Sequence, residues 1–206
     1  MKLYHNPFSP NARRVLLTIA VLGIEVEEKI LDLPKGEHKL PDYLALNANG
    51  AVPTLVDGAF VLTESRAIMQ YLASKKPDSG LLPKDEQSRA DVMRWQFWDA
   101  SHFAPHLGTI AFEKLFKGMM GLGEPDAAKI NDALTNFRRF AAVLNGRLEG
   151  RQYVVGNALT IADLTLASSL MYASQVEIPV ADFPNVQAWL SRISELPAWK
   201  KLSSGG

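Results

Sequence analysis

Cysteine is missing from all 206 residues. That absence removes disulfides, thiolate metal sites and cysteine nucleophiles together, so any thiol chemistry must come in with a substrate. Net charge is missing too: 22 Lys and Arg balance 22 Asp and Glu. No field of one sign invites nucleic acid or an acidic membrane, and neither is expected as a partner. The longest apolar run, Val15 to Ile24, is interrupted by Thr18 and Gly23 and is too short to cross a bilayer. The N-terminus lacks the basic and apolar regions of a signal peptide, which points to a cytoplasmic protein. Internal repeats, coiled-coil heptads and low-complexity segments are absent. What remains is 47% hydrophobic and 21% charged, an ordinary globular composition, in a chain sized for one or two domains.

The first third alternates strands with helices. Lys2 to Tyr4 read as a short strand, Asn6-Pro7 breaks the chain, and a helix starts with Ser9 as N-cap and Pro10 at its first position. Val15, Leu16, Ile19 and Leu22 share a helical face, which Gly23 closes. Lys29 to Leu33 is the next strand candidate, 34–39 a polar loop, and Tyr43 to Leu46 a brief helical turn. Thr54-Leu55-Val56 and Phe60-Val61-Leu62 flank Asp57-Gly58, a hairpin signal. A helix opened by Thr63-Glu64-Ser65 completes a βαβαββα layer, with Ile68, Tyr71 and Leu72 on one face. A polar, Pro- and Gly-bearing break follows. It divides the chain into a domain over 1–76, a linker over 77–85 and an all-helical domain over 86–206. In the helical half, Asp85 to about Phe116 forms one long pattern that Pro105 should bend. Thr160-Ile161-Ala162-Asp163 reads as a variant capping box. Trp95 and Trp98 read as packing anchors, and Arg13 and Arg14 as helix-surface or inter-domain pairing residues, not phosphate binders.

The helix start at Ser9-Pro10 offers unsatisfied N–H groups and about half a positive charge to an anion. By itself Ser9 could simply cap a helix. Set beside Arg13-Arg14-Val15, Gly36-Glu37-His38-Lys39, Val52-Pro53 and Glu64-Ser65-Arg66-Ala67-Ile68, it resembles the glutathione transferase family, phi class and serine type. Gly156 with Thr160 to Asp163, and one C-terminal ending made of Phe183-Pro184-Asn185-Val186, Ala188-Trp189-Leu190 and Pro197-Ala198-Trp199, extend the likeness through the second half. Six weak motifs in the right order make a strong one.

The resemblance implies a thioredoxin-like N-terminal domain that binds glutathione as co-substrate, an all-α domain that binds a small hydrophobic electrophile, and no metal. Glutathione's thiol has a pKa near about 8.5, so little is thiolate at pH 7. Ser9 would donate a hydrogen bond to the thiolate. Asn11 either adds a second bond or lines the electrophile pocket, and it could equally be a solvated first-turn residue. His38 and Lys39 would meet the glycyl carboxylate. Val52 would pair its main chain with the peptide before a cis Pro53. Ser65 would bind the γ-glutamyl carboxylate while Glu64 faces the free amine. Phe8, Asn11, His102 and His106 are the pocket candidates, with Phe103, Ile110 and Phe112 beside them on an aromatic stripe of a kind that is more often plain core than pocket. His102 and His106 stand four apart, but Pro105 between them and the lack of a third ligand speak against a metal pair.

Two departures from the family stand out. Ala51 replaces a common Gln, and Asn47-Ala48-Asn49-Gly50 replaces Asn-Pro-Phe-Gly, removing an aromatic from the dimer clasp. A homodimer is still implied, with Met69, Met93 and Phe97 supplying apolar surface and Arg66 or Arg89 polar pairs. The expected activity is conjugation of the glutathione thiolate in detoxification. Alternatives are a glutathione-dependent peroxidase, isomerase or dehalogenase, or a non-catalytic binding protein of the same fold.

Overall fold

A computed structural model describes residues 1–203. Its chain divides into two compact units, Met1–Leu82 joined by the chain from Leu196 onward, and Pro83–Glu195.

The first unit is built on a four-stranded sheet in the order β2-β1-β3-β4. Strand β1 (Lys2–His5) alternates so that Leu3 and His5 are buried. Helix α1 (Pro10–Leu22) then crosses over to β2 (Glu27–Ile30), which lies parallel to β1. Ser9 caps α1, and Gly23 ends it at φ 60 and ψ 37, its N–H reaching Ala20 while the Ile24 N–H reaches Ile19. That left-handed turn suits glycine because it has no Cβ. A short helix α2 (Pro41–Leu44) leads through a cis Val52-Pro53 peptide to β3 (Thr54–Asp57), antiparallel to β1. The turn at Asp57-Gly58 returns the chain as β4 (Phe60–Leu62), and helix α3 (Ser65–Ser74) follows. Fully buried Val15 and Leu17 of α1 and Ile68, Met69 and Leu72 of α3 join Leu3 and Leu55 of the sheet as core. Helix α10 (Pro197–Ser203) packs on α1. The Arg13 guanidinium donates to Ser203 Oγ at 2.7 Å and lies over the Trp199 ring.

Three expectations fail here. Strand β2 starts two residues earlier than Lys29 and stops at Ile30. All four of its residues are exposed, as on an edge strand guarded by charge, while Leu31 turns inward beyond its end. Arg14 is not a surface residue: it is 1% exposed on the inner face of α1. Met69 offers no dimer surface, because the α3 face packed on the core buries it completely.

The second unit is helical. Helix α4 (Glu86–Trp98) runs into a π-helical segment, Asp99–Phe103, then α5 (Ala104–Ala111), a second π segment, Phe112–Phe116, and α6 (Lys117–Met119). The irregularity thus precedes Pro105, with the Ala104 N–H reaching back to Asp99. Helix α7 (Ala127–Arg147) is the longest, α8 (Ile161–Ser169) is buried over its whole length, and α9 (Pro184–Ser194) follows. Trp95, Phe103, Ile110, Phe137 and Trp189 fill the core. Phe103 and Ile110 are therefore core residues without any exposed face for a pocket, while Phe112 stays 40% exposed. Among the described residues no helix is long and apolar enough to cross a membrane.

Candidate active site

A cleft with about 340 Å³ of open space lies in the first unit. Its walls are Asn11 from the first turn of α1, Asn47, Asn49 and Ala51 from the loop after α2, Val52 and Pro53, and Glu64 and Ser65 at the start of α3. Five of the expected site residues (Asn11, Val52, Pro53, Glu64 and Ser65) are therefore brought together.

Ser9 stands just before Asn11. Its Oγ accepts the Ala12 N–H at 3.4 Å, a long bond, and its carbonyl accepts from Arg13 N–H at 2.8 Å. Among the described residues no carboxylate or imidazole bonds the Ser9 hydroxyl, so nothing there could take its proton and the hydrogen remains available for donation. Asn6 fixes the loop that carries Ser9: its Nδ2 donates to Leu31 O at 2.9 Å, and its Oδ1 accepts the Phe8 N–H at 3.0 Å. The sequence marked Asn6 only as a chain break.

The opposite wall is strained. Glu64 has φ 66 and ψ 107, a conformation that costs a non-glycine residue about 1–3 kcal/mol and that collects at functional sites. Its carbonyl accepts the Ile68 N–H at 3.0 Å, but among the described residues no side chain caps the α3 N-terminus. Ser65 is buried, with its Oγ 3.5 Å from Arg14 Nη1. Arg14 is a neighbour of the site that sequence reasoning missed, because an arginine in a helix ordinarily reads as surface.

The turn that carries Val52 is pinned from inside. Asn47 Nδ2 donates to Ala51 O at 2.8 Å and to Thr54 Oγ1 at 3.2 Å, and the Tyr43 hydroxyl also reaches both groups. Among the described residues none hydrogen-bonds the Val52 main chain. Lys39 Nζ donates to Gly50 O at 3.0 Å, so its charge is held against the same loop. Gly50 is required there: its φ is +54, and a Cβ would lie 3.0 Å from His38 O and 2.9 Å from Lys39 Nζ. His38 is half-buried, with Nδ1 lacking a partner, and burial first and the Lys39 charge second pull its pKa below the usual histidine value.

Phe8 belongs to the first unit and is 59% exposed. His102 and His106 belong to the second, where both rings stack on Phe140, at centroid distances of 5.2 and 5.7 Å. Burial lowers the His106 pKa most, the His102 neighbour adds to this, and Asp132 opposes it. Among the described residues no group of three or more possible metal ligands occurs.

Comparison with known proteins places this geometry. Residues 1–74 match the family model for "Glutathione S-transferase, N-terminal domain", and 101–197 that for "Glutathione S-transferase, C-terminal domain". The chain is 38% identical to Glutathione S-transferase 3 of Zea mays over 98% of its own length and 92% of the relative's. It is 34% identical to the rice (Oryza sativa subsp. japonica) protein named Probable glutathione S-transferase GSTF2, over 99% of this chain and 96% of that one. Among solved structures, glutathione transferase F7 of Populus trichocarpa superposes with a TM-score of 0.92 at 30% identity, over 99% and 98% of the two chains.

Proposed function

The chain belongs to the glutathione S-transferase family, on its phi-like side, and from that premise we propose how its cleft binds and activates glutathione. The protein is a glutathione S-transferase with a thioredoxin-like N-terminal domain and a helical C-terminal one. In our reading the sequence domains are 1–76 and 86–206, joined by a linker over 77–85, with α10 of the latter stretch packing into the first compact unit.

The observation that carries the site assignment is the cleft whose walls hold Val52 and Pro53 on one side and an uncapped α3 N-terminus at Glu64 and Ser65 on the other. A peptide laid along it finds the free Val52 N–H and C=O for strand-like pairing. A carboxylate finds the Ser65 N–H and hydroxyl at the positive end of α3, with the Glu64 carboxylate for the adjoining amine. His38, and Lys39 held at Gly50, serve the glycyl carboxylate.

Ser9 serves the thiol. Its hydroxyl, weakly tied to Ala12, donates to the thiolate at the α1 N-terminus and favours the charged form. Lowering the thiol pKa by about two units corresponds to about 2.7 kcal/mol and makes thiolate the major form at neutral pH. The thiolate then attacks the electrophilic carbon of a small apolar substrate and expels its leaving group, with Asn11 in the wall of the cleft beside it. Holding the two reactants together supplies the rest of the acceleration. The decisive experiment is retention on glutathione-agarose followed by turnover of a chloronitroaromatic. Wild-type affinity in both Ser65→Ala and Glu64→Ala would remove the cleft assignment.

We also assign a homodimer, now without Met69. In the first unit Phe60 is 48% and Val61 37% exposed, and in the second Phe97 is 70% and Met93 45% exposed, apolar surface that suits a two-fold contact. Sedimentation equilibrium checks this, and a clean monomer near 22.7 kDa would refute it.

A further inference from the structure

A fully buried arginine stands behind the carboxylate end of the cleft. Arg14 is 1% exposed, on the inner face of α1, and Thr18 Oγ1 donates to its carbonyl at 2.8 Å to fix that turn. Its Nη1 comes within 3.5 Å of Ser65 Oγ, itself on a residue only 4% exposed. A guanidinium carries donors and no acceptor, so in this contact the serine oxygen must accept. The serine hydrogen is then directed away from Arg14. Ser65 lines the cleft, where the α3 N-terminus has no side-chain cap, so an anion there receives the hydroxyl hydrogen, the helix N–H groups and the field of a charge that water does not screen.

We propose that Arg14 is a positioning residue: through Ser65 it orients the hydroxyl donor, and its buried charge makes this end of the cleft select a carboxylate over a neutral group. The inference rests on reading Glu64 and Ser65 as the γ-glutamyl end of the glutathione site. It adds a cation that joins the helix bearing Ser9 to the helix bearing Ser65. The geometry calls for arginine, because a shorter ammonium on the same turn of α1 supplies the charge but not a planar fork that reaches the hydroxyl.

The test uses the full-length protein with two ligands, glutathione and its analogue carrying a carboxamide in place of the γ-glutamyl α-carboxylate. Calorimetry on Arg14→Met should show an affinity loss of about tenfold for glutathione and under about twofold for the carboxamide. In turnover, KM for glutathione should rise about tenfold while kcat at saturation holds within about twofold. Arg14→Lys should lose about threefold, again only with the carboxylate ligand. An unchanged affinity in Arg14→Met, or an equal loss for both ligands, overturns the proposal, the second because it would mark a merely structural role. If Arg14→Met does not fold, Arg14→Lys carries the same comparison: a loss confined to glutathione supports the proposal, while an equal loss or none overturns it. Ser65→Ala separates this inference from its premise. A loss in Ser65→Ala with none in Arg14→Met refutes the role of Arg14 alone, whereas wild-type affinity in both Ser65→Ala and Glu64→Ala refutes the cleft assignment.

Discussion

The helix starts of the two units are built to opposite ends. In the second unit the four helices that start from a loop, α4, α7, α8 and α9, are each closed by a side-chain oxygen, while α5 and α6 continue from the π-helical segments without one. Asp85 accepts from Ser88 N–H at the head of α4, and Asp126 from Ala128 and Lys129 N–H at α7. Asn145 accepts from Asn185 N–H at α9, and Thr160 with Asp163 forms a complete capping box at α8. In the first unit α1 has only the long Ser9 bond, and α3 has no side-chain cap and a strained N-cap residue. The second unit uses its capping groups to hold the helices, and the first leaves donors that the proposed glutathione site would use. Function is to be sought where an otherwise well-made fold leaves its donors unanswered.

The largest effect should come from breaking the closed side of that contrast. Asp163 is wholly buried and accepts from Val154 N–H, Thr160 N–H and Oγ, and the Trp189 indole. Burial pushes its carboxyl pKa up, and these four donors pull against that. Asp163→Ala strands several buried donors at about 1–3 kcal/mol each, so chemical denaturation should show a loss of about 4 kcal/mol or more. A loss under about 1 kcal/mol would mean that the closed caps do not hold the second unit together.

On the open side, Ser9→Ala should leave the melting temperature within a few degrees, because the lost cap is long. The bound thiol's pKa should rise by about 1–2 units, each worth about 1.4 kcal/mol, and turnover near pH 6.5 should fall about tenfold or more. Ultraviolet titration of bound thiolate reads the shift directly. An unchanged pKa would move the thiolate donor to Asn11. Glu64→Gly sharpens the comparison differently. Glycine accepts φ 66 without the steric cost, so stability should rise by about 0.5–1 kcal/mol while glutathione affinity falls about fivefold through loss of the amine's partner. Stability and affinity falling together would show that Glu64 is structural.

Much of this contrast was legible in the residues. Ser9-Pro10, Gly23, Asp57-Gly58 and Thr160 with Asp163 carry their signals locally, and the structure has each in its expected place. The motif order also led to the right family and fold. What escaped depends on partners distant in sequence. Strand β2 is exposed along its whole length, so it shows no alternation to read and exists because β1 pairs with it. Arg14 and Met69 are buried by α3 and α1 packing, which leaves no mark in their own neighbourhoods. The π segments flanking α5 likewise have no periodicity that distinguishes them from α-helix. On the aromatic stripe of the second half, spacing alone does not separate core from pocket, and Phe103 and Ile110 are core.

The smallest effect concerns His38. In the ligand-free protein, burial and then the Lys39 charge hold its pKa below the usual value of about 6.5. A histidine depressed in this way contributes fully to stability above about pH 6.5 and loses that contribution as pH falls through its lowered value. A carboxylate beside it does the reverse, favouring the imidazolium, so binding and protonation must be linked. Glutathione itself would obscure this, because its bound thiol also releases a proton. S-Methylglutathione keeps both carboxylates and has no thiol. Its affinity should rise about threefold between pH 7 and pH 5.5 in the wild type and stay flat in His38→Gln. A flat profile in both proteins would take His38 out of the carboxylate site and leave the glycyl end to Lys39, whose ammonium at Gly50 O would then hold the loop and the ligand with one charge.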